Sequence, residues 1–350
     1  RAGARPSIPD RAPDIFKFIL EGDEKKGHAL VVEFDQQVGS LDNLLDDCIP
    51  LRKIGEVNAH AVSVVNKFPA YVRVMDDKLC RLLSKLGFMG QGNALDEKFS
   101  SLTTIPFGIN MVSFPFVYAE SLSELPVFDV YATLKASQNA LKRGMKESPN
   151  PQYDLFFNIE PLAGGTIPRI HVQTYLRTHR DAKEVHKFSE EASISLRDFS
   201  RNERITLGPP NRSWQAYSPP VKKGKYDVRL ELRHDREKTF DALNDKELWD
   251  LAEQLVYHSR VLDEVIGIKA RNIEIFPTGV IIRPFAVAGG HENAMNERIY
   301  GLPPFHFARQ YNDKKVIMPK DLYKRPIDSQ GMQTFNALLD KNCPMVREAA

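Results

Sequence analysis

Hydrophobic and polar positions along this chain fall mostly into short runs, and only two stretches change to the wider spacing of a helix. Runs rich in β-branched and aromatic residues predict strands over residues 28–34, 61–66, 109–114, 155–159, 170–176, 226–232, 272–276 and 280–284. Residues 129–146 read as a helix that Pro149 ends, since proline lacks the amide hydrogen and clashes with the preceding turn. Over residues 246–266 the apolar positions Leu248, Leu251, Ala252, Leu255, Val256, Leu262, Val265 and Ile266 lie on one helical face, with Asn244 and Glu247 spaced as a capping box.

The order of these elements repeats. Residues 108–127, a strand and a leucine-containing turn, are echoed by 224–248, and the helix 129–146 by 246–266. The strand, turn and strand of 155–173 return in 273–288, where Pro277, Thr278 and Gly279 make the turn. A looser echo links 66–71 (NKFPAY) to 211–217 (NRSWQAY). A chain of 350 residues is long enough for two domains or one duplicated domain. The division expected is an N-terminal extension and partner-contact segment over 1–59, a first half over 60–200 and a second half over 201–350.

The densest chemistry lies in residues 153–175, YDLFFNIEPLAGGTIPRIHVQTY. A β-rich run carrying Asn158 is followed by a small-residue turn (Ala163, Gly164, Gly165, Thr166), Arg169 and a strand bearing His171 and Gln173. Glycine brings backbone amides close to phosphate oxygens, because no Cβ intervenes. A histidine attacks phosphorus only when its other ring nitrogen is held and the attacking one is unprotonated. Arginine adds a permanent cation with a planar fork suited to phosphate.

This unit resembles the signature of the galactose-1-phosphate uridylyltransferase branch of the histidine-triad superfamily, in which a strand, a Gly-rich turn and an H-P-H-x-Q strand hold a nucleotide's phosphates beside a nucleophilic histidine. Here the first histidine of the triplet is Arg169, so the segment reads R-I-H-V-Q. Residues 64–71, VVNKFPAY, resemble the family's N-x-F-P-A segment and bring in Asn66 and Lys67. Residues 108–126 resemble the following S-P-x-H strand, but Ser113, Phe114, Pro115 and Phe116 put phenylalanine where the family has a zinc-binding histidine. Cys48, Cys80 and Cys343 are isolated, so no thiolate zinc site is expected. The resemblance implies an α+β fold of duplicated histidine-triad-like halves, with mainly antiparallel sheets and packed helices. It also implies a phosphate site of Asn66, Lys67, Asn158, Gly164, Gly165, Thr166, Arg169, His171 and Gln173, with no cofactor and no metal.

Composition narrows the field only a little. Charged residues make up 27% and hydrophobic ones 42%, with a net charge of +2, which is ordinary for a globular chain and leaves nucleic-acid binding to local patches. One such patch is Lys222, Lys223 and Lys225 with Arg229, Arg233 and Arg236. It reads either as a solvated hairpin or as a path along a phosphate backbone. Tyr175, Trp214 and Tyr217 serve as core residues or as stacking platforms. Glu120 sits where a helix start is expected and complements its dipole. His179 and His186 fit an exposed helix, and His291 and His306 frame a loop. Three unpaired cysteines suit a reducing compartment. The longest charge-free stretch, 99–119, contains Pro106 and Pro115 and reads as loop and buried strand rather than a membrane span.

With Arg169 in the motif and the zinc ligands missing, the sequence is similar to the paired guide-RNA-associated proteins of mitochondrial uridine insertion and deletion RNA editing. That resemblance implies a non-catalytic RNA-binding protein that holds the 5′-triphosphate end of guide RNA. Its partners would be a paralogous subunit, as a heterodimer, and other subunits of an RNA editing complex, in the mitochondrial matrix and without membrane attachment. The arginine-rich opening RAGARPSIPDRAP resembles the remainder of a presequence. Two other readings stay open: an active nucleotidylyltransferase or sugar-nucleotide phosphorylase with His171 as nucleophile, and a structural subunit with a vestigial site.

Overall fold

The computed structural model describes residues 12–21, 31–35, 59–66, 107–146, 151–178, 205–218, 226–284, 309, 311–313 and 316–323. Within them lie the strands β1 (Val31–Phe34), β2 (Ala61–Val65), β3 (Phe107–Pro115), β4 (Pro151–Ile159) and β5 (Val172–Thr178). The second set comprises β6 (Ile205–Leu207), β7 (Trp214–Ser218), β8 (Val228–Leu232), β9 (Arg271–Phe276) and β10 (Gly279–Pro284). They form one ten-stranded sheet in the order β1-β2-β3-β5-β4-β9-β10-β8-β7-β6, and the pairings are antiparallel throughout. The helices are α1 (Ile15–Glu21), α2 (Val127–Lys146) and α3 (Asp245–Arg260). This is the α+β architecture, with a mainly antiparallel sheet and packed helices, that the family resemblance implies.

One hydrophobic core runs through both halves of the sheet. Tyr153, Leu155, Phe157 and Ile159 of β4 and Ile273 and Ile275 of β9 meet Leu134 and Leu141 of α2 and Leu248, Leu251 and Leu255 of α3. Each fully buried aliphatic or aromatic side chain of this kind contributes roughly 1.5–3 kcal/mol. A second, smaller cluster joins Phe16 and Ile19 of α1 to Phe34, Val62, Val64, Val112 and Phe114. Met111 belongs to the first core and Val112 to the second. Successive residues of a strand point to opposite faces, so α1 lies on the face of the sheet away from α2 and α3.

From either edge inward the strands follow the same order: β1, β2, β3, β5, β4 from one side and β6, β7, β8, β10, β9 from the other. In the chain, α2 stands between β3 and β4 as α3 stands between β8 and β9. One of the sequence echoes does not coincide with this order. Asn66 follows β2, whereas Asn211 precedes β7 and Trp214 begins it, so Asn66 and Asn211 hold different places. Residues 67–71 lie outside the described residues.

The two sides meet at β4 and β9, with Asn158 opposite Asn272 and Ile159 opposite Arg271. Arg271 is fully buried, and its guanidinium is held at 2.6 Å by Asp263 Oδ1, at 2.9 Å by Ser121 Oγ and at 3.2 Å by the Ile268 carbonyl. Asp263 Oδ2 also accepts from Ser121 and Ser123, at 2.8 and 2.5 Å. The knot ties the β3–α2 connection to the turn after α3.

The helix start read at Asn244 and Glu247 is a complete capping box: Asn244 Oδ1 accepts from Glu247 N at 2.9 Å and Glu247 Oε2 from Asn244 N at 2.8 Å. The helix expected over 246–266 is α-helical to Arg260 and continues as a π-helical turn, Val261–Ile266, that carries Asp263 and stops at Gly267, φ 77°. The segments α1, β6 and β7 had no counterpart in the sequence reading. Each has seven residues or fewer, too few for a period to stand out.

Removing one partner of a buried charged pair leaves the other desolvated and uncompensated, at a cost of about 3–5 kcal/mol. Arg271→Ala is therefore expected to lower the unfolding free energy by that amount in urea titration. The double variant Arg271→Met, Asp263→Leu should recover a large part of it.

Candidate phosphate site

Between β4 and β5 the chain makes a tight loop from Glu160 to Ile170. Glu160 takes φ 70° and ψ 150°, a region almost reserved for glycine that costs about 1–3 kcal/mol. A short 3₁₀ turn, Pro161–Ala163, follows, and Gly164 closes it at φ 87°. Gly165 admits no side chain: a Cβ there would lie 2.4 Å from the Asn158 carbonyl oxygen. The glycines read as phosphate-approach residues are thus required by the loop's own backbone.

The loop uses the amides that were expected to hold phosphate. Gly164 N donates to the Pro161 carbonyl at 2.9 Å, Gly165 N to Glu160 at 3.0 Å and Thr166 N to Gly164 at 3.1 Å. Folding the turn and cradling an anion compete for the same donors, and here the turn has them. Asn158 Oδ1 accepts from Asn272 Nδ2 at 2.6 Å, and the same nitrogen donates to the Ala163 carbonyl at 2.9 Å. Asn158 therefore anchors the loop to β9.

Arg169 is buried. Its Nε and Nη2 both reach Asp14 Oδ2 at 2.9 Å. Its Nη1 donates to the carbonyls of Pro115 and Phe116 at 3.2 and 3.1 Å, and Tyr118 covers it at 5.2 Å from the ring centroid. The fork expected for phosphate already grips a carboxylate. A shallow cleft beside it is lined by Glu120, Asn158, Glu160, Gly165 and Arg169.

His171 stands immediately before β5 and is 6% exposed. Its Nδ1 lies 2.8 Å from the Arg169 carbonyl. A carbonyl only accepts, so Nδ1 carries the hydrogen and Nε2 keeps a lone pair. Burial pushes the imidazole below its ordinary value, against smaller opposing effects of that hydrogen bond and of Asp14. The ring is neutral, in the tautomer a nucleophile requires, and Phe16 covers it at 5.1 Å between centroids. The substitution of Arg169 for the motif histidine keeps the backbone carbonyl that orients His171.

The other expected residues are scattered. Gln173 projects from β5, half-buried, and receives the Tyr175 hydroxyl at 3.4 Å. Asn66 follows β2 and donates its amide to the Asn110 carbonyl at 2.9 Å. Lys67, Lys225, His179, His186, His291 and His306 lie outside the described residues. Glu120 does not start a helix: α2 begins only at Val127, after the turn that Ser121 joins to Arg271. Glu120 faces the cleft, accepting from the Tyr118 hydroxyl at 2.6 Å. The basic path is divided: Arg229 is buried in β8, where all five residues are buried, while Arg233 and Arg236 lie beyond the strand and stay exposed. Trp214 is a core residue whose indole donates to the Glu247 carbonyl at 2.8 Å. Tyr217 is buried against Glu231, and Tyr175 stacks on Phe156 at 5.1 Å. Among the described residues no group of three or more His, Cys, Asp or Glu stands together as metal ligands do, and no helix is long and apolar enough to cross a membrane.

Asp14, Phe16 and Tyr118 belong to the site and were not read from the sequence. Asp14 ahead of the apolar run IFKFIL is a recognisable helix start, but its pairing with Arg169 spans 155 positions.

No family model matches the chain, and no curated protein matches it. Solved structures do. An ADP-glucose phosphorylase from Arabidopsis thaliana, determined with bound ADP-glucose, is similar over 90% of this chain and 93% of its own, at 12% identity and a TM-score of 0.57. The fold is uridylyltransferase-like, of the histidine-triad-like α+β kind. A galactose-1-phosphate uridylyltransferase-like protein from Arabidopsis thaliana shares this uridylyltransferase-like fold over 74% of this chain and 85% of its own, at 12% identity and a TM-score of 0.54. A uridylyltransferase covers 59% of this chain and 74% of its own, at 19% identity and a TM-score of 0.47. At these identities the likeness is one of fold.

Because burial holds His171 neutral, the unfolded chain takes up a proton below about pH 6.5 that the folded chain refuses, so this group lowers stability as pH falls through that range, by at most about 1.4 kcal/mol per unit. His258 acts in the same direction, pushed down to about 3 by burial. Asp250, raised to about 6 by burial, opposes both between that value and its ordinary one. NMR titration should show His171 still neutral at about pH 6.5, where an ordinary imidazole is half-charged. Phe16→Ala should move His171 back toward its ordinary value.

Proposed function

We propose that this protein is a non-catalytic RNA-binding member of the uridylyltransferase-like fold, one that holds the 5′-triphosphate end of guide RNA in mitochondrial uridine insertion and deletion editing. In this reading the two sides of the sheet are copies of one histidine-triad-like unit, and only the first carries the site. A paralogous subunit pairs with the chain as a heterodimer, and other editing subunits join them in the mitochondrial matrix. The observation that carries the proposal is the state of Arg169. It stands where the family motif has a histidine, and its Nε and Nη2 already close on one carboxylate, the arrangement that also suits a phosphate oxyanion. The phosphorylase that shares the fold was determined with ADP-glucose, a nucleotide diphosphate sugar, bound, which supports a phosphate ligand here.

Charge-assisted hydrogen bonds contribute about 1.5–3 kcal/mol each. Arg169→Ala is therefore expected to weaken binding of 5′-triphosphate RNA by about tenfold or more, with little effect on RNA bearing a 5′ hydroxyl. Replacing Lys225 should weaken both RNAs alike and reduce the salt dependence. Equal loss for both RNAs in Arg169→Ala would favour a structural subunit with a vestigial site.

A second reading is supported by His171, whose Nδ1 is held by a carbonyl and whose Nε2 is unprotonated. This is the configuration of an active nucleotidylyltransferase or phosphorylase. Incubation with a nucleotide labelled at the α-phosphate separates the two. The binding reading expects no adduct, whereas an acid-labile adduct that His171→Ala abolishes would establish the enzyme.

A further inference from the structure

Residues 12–21 cross the motif loop, and three separate contacts hold them there. The Ala12 amide donates to the Thr166 carbonyl at 2.7 Å. Asp14 Oδ2 takes the fork of Arg169. Phe16 is buried, stacks on Phe114 at 4.3 Å and leans on His171. The other oxygen of the same carboxylate starts the helix: Asp14 Oδ1 accepts from Phe16 N and Lys17 N at 3.2 and 3.4 Å. One side chain therefore both nucleates α1 and closes the site. A helix of seven residues is far below the length that is stable alone in water, so α1 depends on these contacts to stay formed.

We propose that this segment is a displaceable strap, whose Asp14 occupies the anion position at Arg169 and competes with a phosphate group for it. The inference rests on the reading that Arg169 receives a ligand's phosphate. Carboxylate and phosphate present the same oxygens to a guanidinium fork, and only one of them fits at Nε and Nη2 at a time. Displacing Asp14 loosens α1 and withdraws Phe16, so filling the anion position and uncovering His171 are one event.

Asp14→Asn tests this in the full chain. Asparagine caps a helix as well as aspartate does, so the variant removes the charge that competes and keeps the oxygen that starts α1. It should bind 5′-triphosphate RNA about tenfold more tightly than the unaltered chain and 5′-hydroxyl RNA equally. Phe16→Ala should shift affinity in the same direction. In the unaltered chain, inorganic triphosphate should speed hydrogen exchange at the amides of Ala12, Phe16 and Lys17, a readout that needs no variant to fold. If both variants bind triphosphate RNA as the unaltered chain does while Arg169→Ala loses it, and those amides do not speed up, the strap is overturned and the phosphate reading stands. If none of these chains distinguishes the two RNAs, both fall.

Discussion

The buried ion pair between Arg271 and Asp263 is the constraint on which the arrangement of the two sides depends. Burying a guanidinium with no exposure costs desolvation that is offset only as far as its donors find acceptors, and at Arg271 Nη1 and Nη2 find them while the buried Nε does not. Those acceptors come from the connection between β3 and α2 and from the π-helical turn after α3. The guanidinium ties Ser121, in the connection after β3, to the start of β9, which pairs with β4. It thereby sets the floor of the motif loop, since Asn272, the residue after Arg271, holds both Asn158 and the Ala163 carbonyl.

On that floor the loop resolves a competition among its own donors. The strained Glu160 and the two glycines let the chain reverse sharply, and the reversal consumes the amides of Gly164, Gly165 and Thr166. The cation beside the loop, Arg169, is held by Asp14 and by the carbonyls of Pro115 and Phe116. The same residue's carbonyl orients His171, so a change of side chain at this position alters the charge of the site and leaves the imidazole's tautomer in place. The side chain and the carbonyl of one residue thus make separate contacts, one with Asp14 and one with His171.

Much of the scaffold was legible along the chain. The strands over 272–276 and 280–284 and the helix starting at Asn244 carry their signals within a few residues: β-branched runs, the turn at Pro277 and Thr278, and a capping box. The small-residue turn and the R-I-H-V-Q strand were recognisable for the same reason. Local backbone preference and side-chain period are properties of neighbouring residues.

The chain by itself determined which segments become strands or helices, and which residues stand in the motif loop. Tertiary structure alone decided how those residues are used. That Arg169 meets Asp14, that Phe16 covers His171, that Glu120 faces a cleft and that Arg229 is buried while Arg233 is not all depend on contacts between positions far apart in sequence. The physical reason is that an ion pair or a desolvated ring gains its energy from what the fold brings beside it. No periodicity records which distant carboxylate will reach a given guanidinium.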